Sequence, residues 1–388
     1  MPNILPMMMS AAGAAGGAAN EPGTIWGWGR NSKGVLGQGD ITDQSSPVQV
    51  GSLTDWLARD ATERRKIKAS LGTWIQTIKN DGTLWGWGQS ENGSIGDGTT
   101  TDRCSPVQIG SLTDWDNVGC GTNSTMAVKT DGTLWGWGDN GNGALGLGNT
   151  TAYSSPVQVG SLTTWSLIHN GAQSFYGIKT DGTLWSWGDN GNGQLGLGNT
   201  TNYSSPVQVG SLTTWAQVCG GGSWAAAVKT DGTLWSWGNN LDGQLGLGNT
   251  TNNSSPVQVG SLTNWYEVSM NSGGYTSSWM CATKTDGTLW AWGDNTYGQL
   301  GQGNTTDYSS PVQVGSLTTW RNASAVHFSA MADTTAGTLF AWGSGTYGLG
   351  NGNTTSVSSP VQVGSLTDYS GIAAGINVDY AWFFVRAV

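Results

Sequence analysis

Apolar and polar residues alternate along this chain in short runs, and one run returns again and again. In Leu184-Trp185-Ser186-Trp187 the two indoles share one face of an extended segment, with Leu184 and Ser186 on the other. Just before it, Lys179-Thr-Asp181-Gly182-Thr183 places Asp-Gly between two apolar runs, a strong hairpin signal. A glycine-rich loop follows over 189–199, then Pro206 opens the short run Val207-Gln208-Val209, and Leu212 and Trp215 begin the next unit. The unit holds about four short strands, and helical periodicity is absent from it.

Trp-x-Trp-Gly begins at Trp26, Trp85, Trp135, Trp185, Trp235 and Trp290, with a Phe-Ala-Trp-Gly variant at Phe340. The spacing is 50 residues apart from two longer intervals, 59 (26 to 85) and 55 (235 to 290). Each copy leads to Ser-Pro-Val-Gln-(Val/Ile)-Gly-Ser-Leu-Thr. A fixed period of this size predicts one supersecondary unit repeated. Seven copies predict an all-β, seven-bladed β-propeller of four-stranded antiparallel blades over residues 24–388, which leaves only short, protected sheet edges. The first copy lacks its leading strand pair, and segments near Tyr369 and Asp379–Val385 supply one. The ring is therefore expected to close by pairing N- and C-terminal strands. The small middle residues of Trp-x-Trp (Gly27, Gly86, Gly136, Ser186, Ser236, Ala291, Ala341) predict close strand or blade approach.

Composition changes this picture little. Glycine (63) and tryptophan (23) are abundant and charged residues make up 10%, as a folded chain with many tight turns requires. The net charge of −10 argues against a nucleic-acid partner held by the overall field. No run is apolar enough to span a bilayer, so membrane insertion is not expected. Residues 1–23, rich in Ala, Gly and Met without a basic residue, lack the pattern of a secretory signal and read as a flexible arm. Cys104, Cys120, Cys219 and Cys281 fall in different copies and read as buried free thiols.

The units, such as Asp181-Gly-Thr-Leu-Trp-Ser-Trp-Gly-Asp-Asn-Gly-Asn-Gly-Gln-Leu-Gly-Leu-Gly198, resemble the repeats of the regulator of chromosome condensation family. The resemblance covers residues 24–388 and implies a seven-bladed propeller. Members of that family include a nucleotide-exchange factor for a small nuclear GTPase that docks on nucleosomes, and a secreted β-lactamase inhibitor. Family members often carry histidine at the site occupied here by Trp74, Ser124, Ser174, Trp224, Trp279, Ser329 and Val378. Its absence weakens the transfer of any detailed role.

The copies differ mainly between the leading Trp and the Asp-Gly turn, where a partner-specific surface could sit. Trp74, Trp224 and Trp279 could form a stacking platform for a sugar or a protein hot spot, or could plug the centre as core. The first copy carries nine extra residues, within Leu57–Lys68, holding Arg59, Arg64, Arg65, Lys66 and Lys68. That insertion is the one candidate helix, of about two turns, and reads either as a contact to an acidic partner or as a solvated loop. Five extra residues around Tyr275 resemble a recognition loop or a plain flexible one.

Catalytic chemistry is hard to assemble. His169 and His327 lie in different copies, as do Asp116, Glu267, Asp333 and Asp379, so neither a triad, a metal cluster nor a paired-carboxylate site is expected. Nucleotide-cradling motifs are missing, and no cofactor is expected. The recurring Asn-Thr-Thr (Asn149, Asn199, Asn249, Asn304, Asn353) reads as a turn rather than a glycosylation signal. The expected function is therefore a non-enzymatic binding or structural propeller, in the style of virion proteins of tailed phages. It would serve as a head or tail decoration or adhesin, in the virion or outside the cell. Its partners would be virion proteins or a host surface receptor, protein or glycan. The alternatives are an exchange-type regulator of a small GTPase and a secreted adhesin or inhibitor; a lyase or glycosidase would need converging carboxylates.

Overall fold

In the computed structural model every Trp-x-Trp segment is a β-strand with an antiparallel partner on each side. The structure describes residues 23–56, 67–70, 73–271, 277–346, 349–350, 354–365, 367, 369–375 and 382–387. They form seven four-stranded sheets, numbered here as blades 1 to 7 by their Trp-x-Trp strands. These strands are Gly23–Gly29, Leu84–Gly88, Leu134–Gly138, Leu184–Gly188, Leu234–Gly238, Leu289–Gly293 and Leu339–Gly343. The chain is thus an all-β propeller of four-stranded antiparallel blades. Blades 2 to 7 each use four consecutive strands. In blade 1, Gly23–Gly29 lies between Gln44–Gln49 and Trp382–Ala387, and the latter pairs with Tyr369–Gly375. Of the arm expected over residues 1–23, all but Gly23 lies outside the described residues, and Gly23 opens the first strand.

Blade 4 shows the order within a sheet: Trp165–Asn170, Ser174–Lys179, Leu184–Gly188, Tyr203–Gln208. First strands of neighbouring blades, such as Trp165–Asn170 and Trp215–Gly220, pack on each other and lie innermost, and Pro-bearing fourth strands form the rim. The sequence-variable segments are therefore the inner strands, which are largely buried. Their variation is mostly packing. Gln76 and Met126 face Gly86 and Gly136 across the strand pair, and Tyr176 faces Ser186. A Cβ on Gly136 would stand 2.6 Å from the Met126 sulfur. The small middle residue of Trp-x-Trp thus makes room for its own blade's second strand.

The core lies between blades. Met126, Val128, Leu134 and Leu145 of blade 3 pack on Trp165, Ile168, Phe175 and Trp187 of blade 4, and similar layers separate the next pairs. Trp28 of blade 1 packs with Val326, Leu339 and Val363 of blade 7. Each fully buried indole contributes about 1.5–3 kcal/mol of transfer free energy. The second Trp also ties the blades together. Its indole N–H donates to a carbonyl in the preceding blade's glycine-rich loop: Trp187 to Ala144 at 2.9 Å, Trp237 to Gln194 at 2.7 Å, Trp292 to Gln244 at 2.9 Å.

The Asp-Gly turns are built locally. Asp181 Oδ1 accepts from the Thr183 amide (3.0 Å) and hydroxyl (2.7 Å), and the Gly182 amide donates to Lys179 O (2.9 Å). The Asn-Thr-Thr segments are turns as well, with Asn199 Oδ1 accepting from the Thr201 amide and from Asn190 Nδ2. The long insertion enters at a defect already in the repeat. Every complete inner strand shifts register after its leading Trp, as between Trp115 and Asn117. Residues 57–66 stand at that point in blade 2, between the Trp56–Lys79 bridge and strand Ile67–Ala69. Of the expected helix over Leu57–Lys68, Lys68 is instead a strand residue, because it pairs with Gln76.

Candidate functional site

Among the described residues, a surface recurs at the rim between blades. Two grooves of about 310 and 620 Å³ lie at equivalent places, between blades 4 and 5 and between blades 5 and 6. One wall is the outer strand and following turn of the earlier blade, Gln208–Gly210 or Val257–Gly260. The other holds the leading and first Trp of the next blade (Trp215 and Trp235, or Trp265 and Trp290) and its Pro256 or Pro311. Leu212 and Leu262 form the exposed lip, each 45% accessible. Amides and hydroxyls of Asn249, Thr251, Asn253 and Ser310 complete the larger groove, and neither lining contains an ionisable side chain.

Each groove wall is supported by a three-part cluster. Trp265 meets Trp290 edge to face at 6.1 Å, across the small Ala282 of the intervening strand. Lys284 Nζ lies 3.6 Å from the Trp290 ring centroid and 4.6 Å from that of Trp265. Blade 5 repeats this with Lys229, Trp235 and Trp215. Burial lowers the Lys229 and Lys284 ammonium groups below the usual lysine range, opposed by Asp231 and Asp286 on the same turns. Hydrogen bonds from Thr233 in turn hold Asp231 below the usual carboxylate range. The half-buried Trp235 and Trp290 donate their indole N–H to Thr233 and Thr288, both at 2.9 Å. The buried Trp215 and Trp265 find no acceptor for theirs.

The residues singled out from the sequence do not assemble into one site. Trp74, Trp224 and Trp279 are at most 1% exposed and belong to three separate interblade cores. They offer no stacking face, because their side chains point between blades. Trp279 Nε1 donates to His327 O at 2.8 Å. Lys68 is half-buried on its strand, and Arg59, Arg64, Arg65, Lys66 and Tyr275 lie outside the described residues. Sequence reading passed over Trp235, Trp290, Leu212 and Leu262 because they recur identically and were assigned to the shared scaffold.

Among the described residues there is no group of three or more His, Cys, Asp or Glu able to hold a metal. Asp333 is fully buried and ion-paired with Arg321, and it accepts from the Asn322 amide at 2.9 Å. His169 and His327 lie in blades 4 and 7. All four cysteines are thiols: Cys120, Cys219 and Cys281 are buried, and Cys104 is half-exposed. No helix of the described residues is long and apolar enough to cross a membrane.

A model of the RCC1-like domain matches residues 6–280. Models of the regulator of chromosome condensation (RCC1) repeat match residues 269–299, 286–332 and 336–378. The chain is similar to the ultraviolet-B receptor UVR8 of Arabidopsis thaliana, 31% identical over 113 residues, or 29% of this chain and 24% of the receptor. It is also similar to the human E3 ubiquitin-protein ligase HERC2, 30% identical over 124 residues, 31% of this chain and 2% of the ligase. It thus aligns with only a quarter or less of these relatives' length. Among solved structures, human WBSCR16 superposes with a TM-score of 0.79 at 20% identity, covering 94% of this chain and 98% of that one. Yeast RCC1 (Prp20), in its complex with Kap60, superposes at 0.77 with 16% identity, covering 95% and 90%. Those two likenesses establish the fold. Since a single family model spans well over half of its residues, this chain belongs to the RCC1-like domain family.

Proposed function

We propose that this chain is a non-catalytic binding and structural propeller, carried on a tailed-phage particle as a head or tail decoration or adhesin. The observation that carries this reading is the distribution of sameness in the fold. The rim repeats one Leu-Trp-Pro groove, while the residues that differ between copies are mostly packed inside. A catalytic centre needs one unique convergent set of groups, whereas a repeated rim offers the same contact several times and gains from multivalency. The two histidines lie in separate blades and the buried Asp333 is engaged by Arg321, which supports the same reading. A sealed ring of seven blades suits such display, and the packing of Trp28 against blade 7 supports it. Residues 1–22 or the basic insertion would then dock the ring on the particle, leaving the rim to face a host surface receptor.

Mass spectrometry of purified particles, made with the full chain and with residues 1–22 deleted, tests this reading. The full chain should be a stoichiometric particle component, and the deletion should remove it while the purified ring still unfolds cooperatively. Particles that never contain the full chain would refute the reading. An exchange role would instead appear as accelerated nucleotide release from a small GTPase. Likeness to Prp20p, whose structure was solved with its binding properties to Gsp1p and histones, is at 18% identity and brings only the fold.

A further inference from the structure

We infer that the rim grooves between blades are binding sites for neutral glycans, each groove seating one pyranose ring of a polysaccharide. This rests on the binding-propeller reading and names the ligand class of its rim. A sugar ring has an apolar face and an equatorial belt of hydroxyls, so its site needs an aromatic or aliphatic surface beside amides and hydroxyls. The larger groove supplies both: half-buried Trp290 and exposed Leu262 on the apolar side, Asn249, Thr251, Gln258 and Ser310 on the polar side. The smaller groove repeats the pattern with Trp235, Leu212, Gln208 and Ser255.

Trp265 and Trp215 also line the two grooves and are 1% and 3% exposed, so they form the apolar back wall against which the sugar face would rest.

Two features select the neutral glycan over other occupants. The lining holds no ionisable side chain, and the nearby Lys284 and Lys229 are buried and already engaged with the tryptophan rings, so an anionic polysaccharide would lose its hydration without an exposed cation to pair with. An extended peptide would bind by adding a strand to the rim, but the outermost strands Asn253–Gln258 and Tyr308–Gln313 carry Pro256 and Pro311, which have no N–H to donate. Because the grooves recur around one ring, a long chain that occupies several gains avidity over a single sugar.

The test is binding of the full chain to immobilised dextran, yeast mannan and arabinogalactan, with heparin as the anionic comparison. At least one neutral polymer should bind and shift the indole fluorescence, while heparin should not. Gln208→Ala or Gln258→Ala alone should weaken that binding several-fold, and the two together tenfold or more, with unfolding curves unchanged. Leu262→Glu, on the exposed lip, provides a second variant that leaves the core untouched and should also reduce binding. Binding to no neutral polymer, binding to heparin alone, or unaltered binding by the double variant would each overturn the proposal. A chain that is present in particles yet binds none of the polymers would remove the sugar and leave the proposed function standing.

Discussion

Gly246 and Gly260 are fourteen positions apart in the same repeat, both with left-handed backbone (φ +70° and +60°), and they separate two costs that usually come together. A Cβ on Gly260 would meet nothing within 4 Å, whereas one on Gly246 would stand 2.7 Å from Trp292 Nε1. Gly260→Ala should therefore show only the left-handed strain of an L-residue, about 1–2 kcal/mol. Gly246→Ala carries the same strain and crowds an indole that has little room to retreat. Moving Trp292 away would stretch its hydrogen bond to Gln244 O, 2.9 Å long, in the very loop that holds Gly246. Overpacking of this kind costs about 1–3 kcal/mol, for a total of roughly 2–5 kcal/mol. Urea unfolding of both variants, followed by indole fluorescence, measures the difference directly. Equal midpoints would refute the claim that this glycine is required by the latch between blades rather than by its turn alone.

Other consequences follow from the same packing. Lys229→Met keeps the aliphatic stem over Trp235 and Trp215 but removes the charge, and should cost about 0.5–2 kcal/mol by urea unfolding; no loss would mean the ammonium is merely tolerated there. Burial pushes the His327 imidazole down from 6.5 to about 4, so the folded chain resists its protonation. The His327 contribution to stability should be full above pH 6.5, fall as pH drops towards 4, and level off below. His327→Gln should remove this fall, so the difference in stability between the two proteins should change between pH 6.5 and 4, while Asp242, which burial raises, contributes equally to both. Burial raises the Cys120 thiol to about 12, and Cys219 and Cys281 are shielded as well. Native protein at pH 8 should therefore expose at most Cys104 to a thiol reagent, against four thiols after denaturation; two or more fast-reacting thiols in the native chain would contradict this packing.

The sequence by itself determined the repeat unit: period-two alternation around Trp-x-Trp, the Asp-Gly turn and the edge proline are local, and local geometry decides them. It also placed the two indoles of each strand on one face, which is the face that packs on the preceding blade. Only the tertiary structure decided which recurring tryptophans meet solvent. Trp74, Trp224 and Trp279 looked distinctive because few copies carry an indole there, yet that position turns into the core between blades. Trp235 and Trp290 looked like common scaffold, yet they stay half-exposed at the rim. Exposure depends on how neighbouring sheets are arranged around the axis, a relation between residues some fifty positions apart that alternation along one strand does not encode.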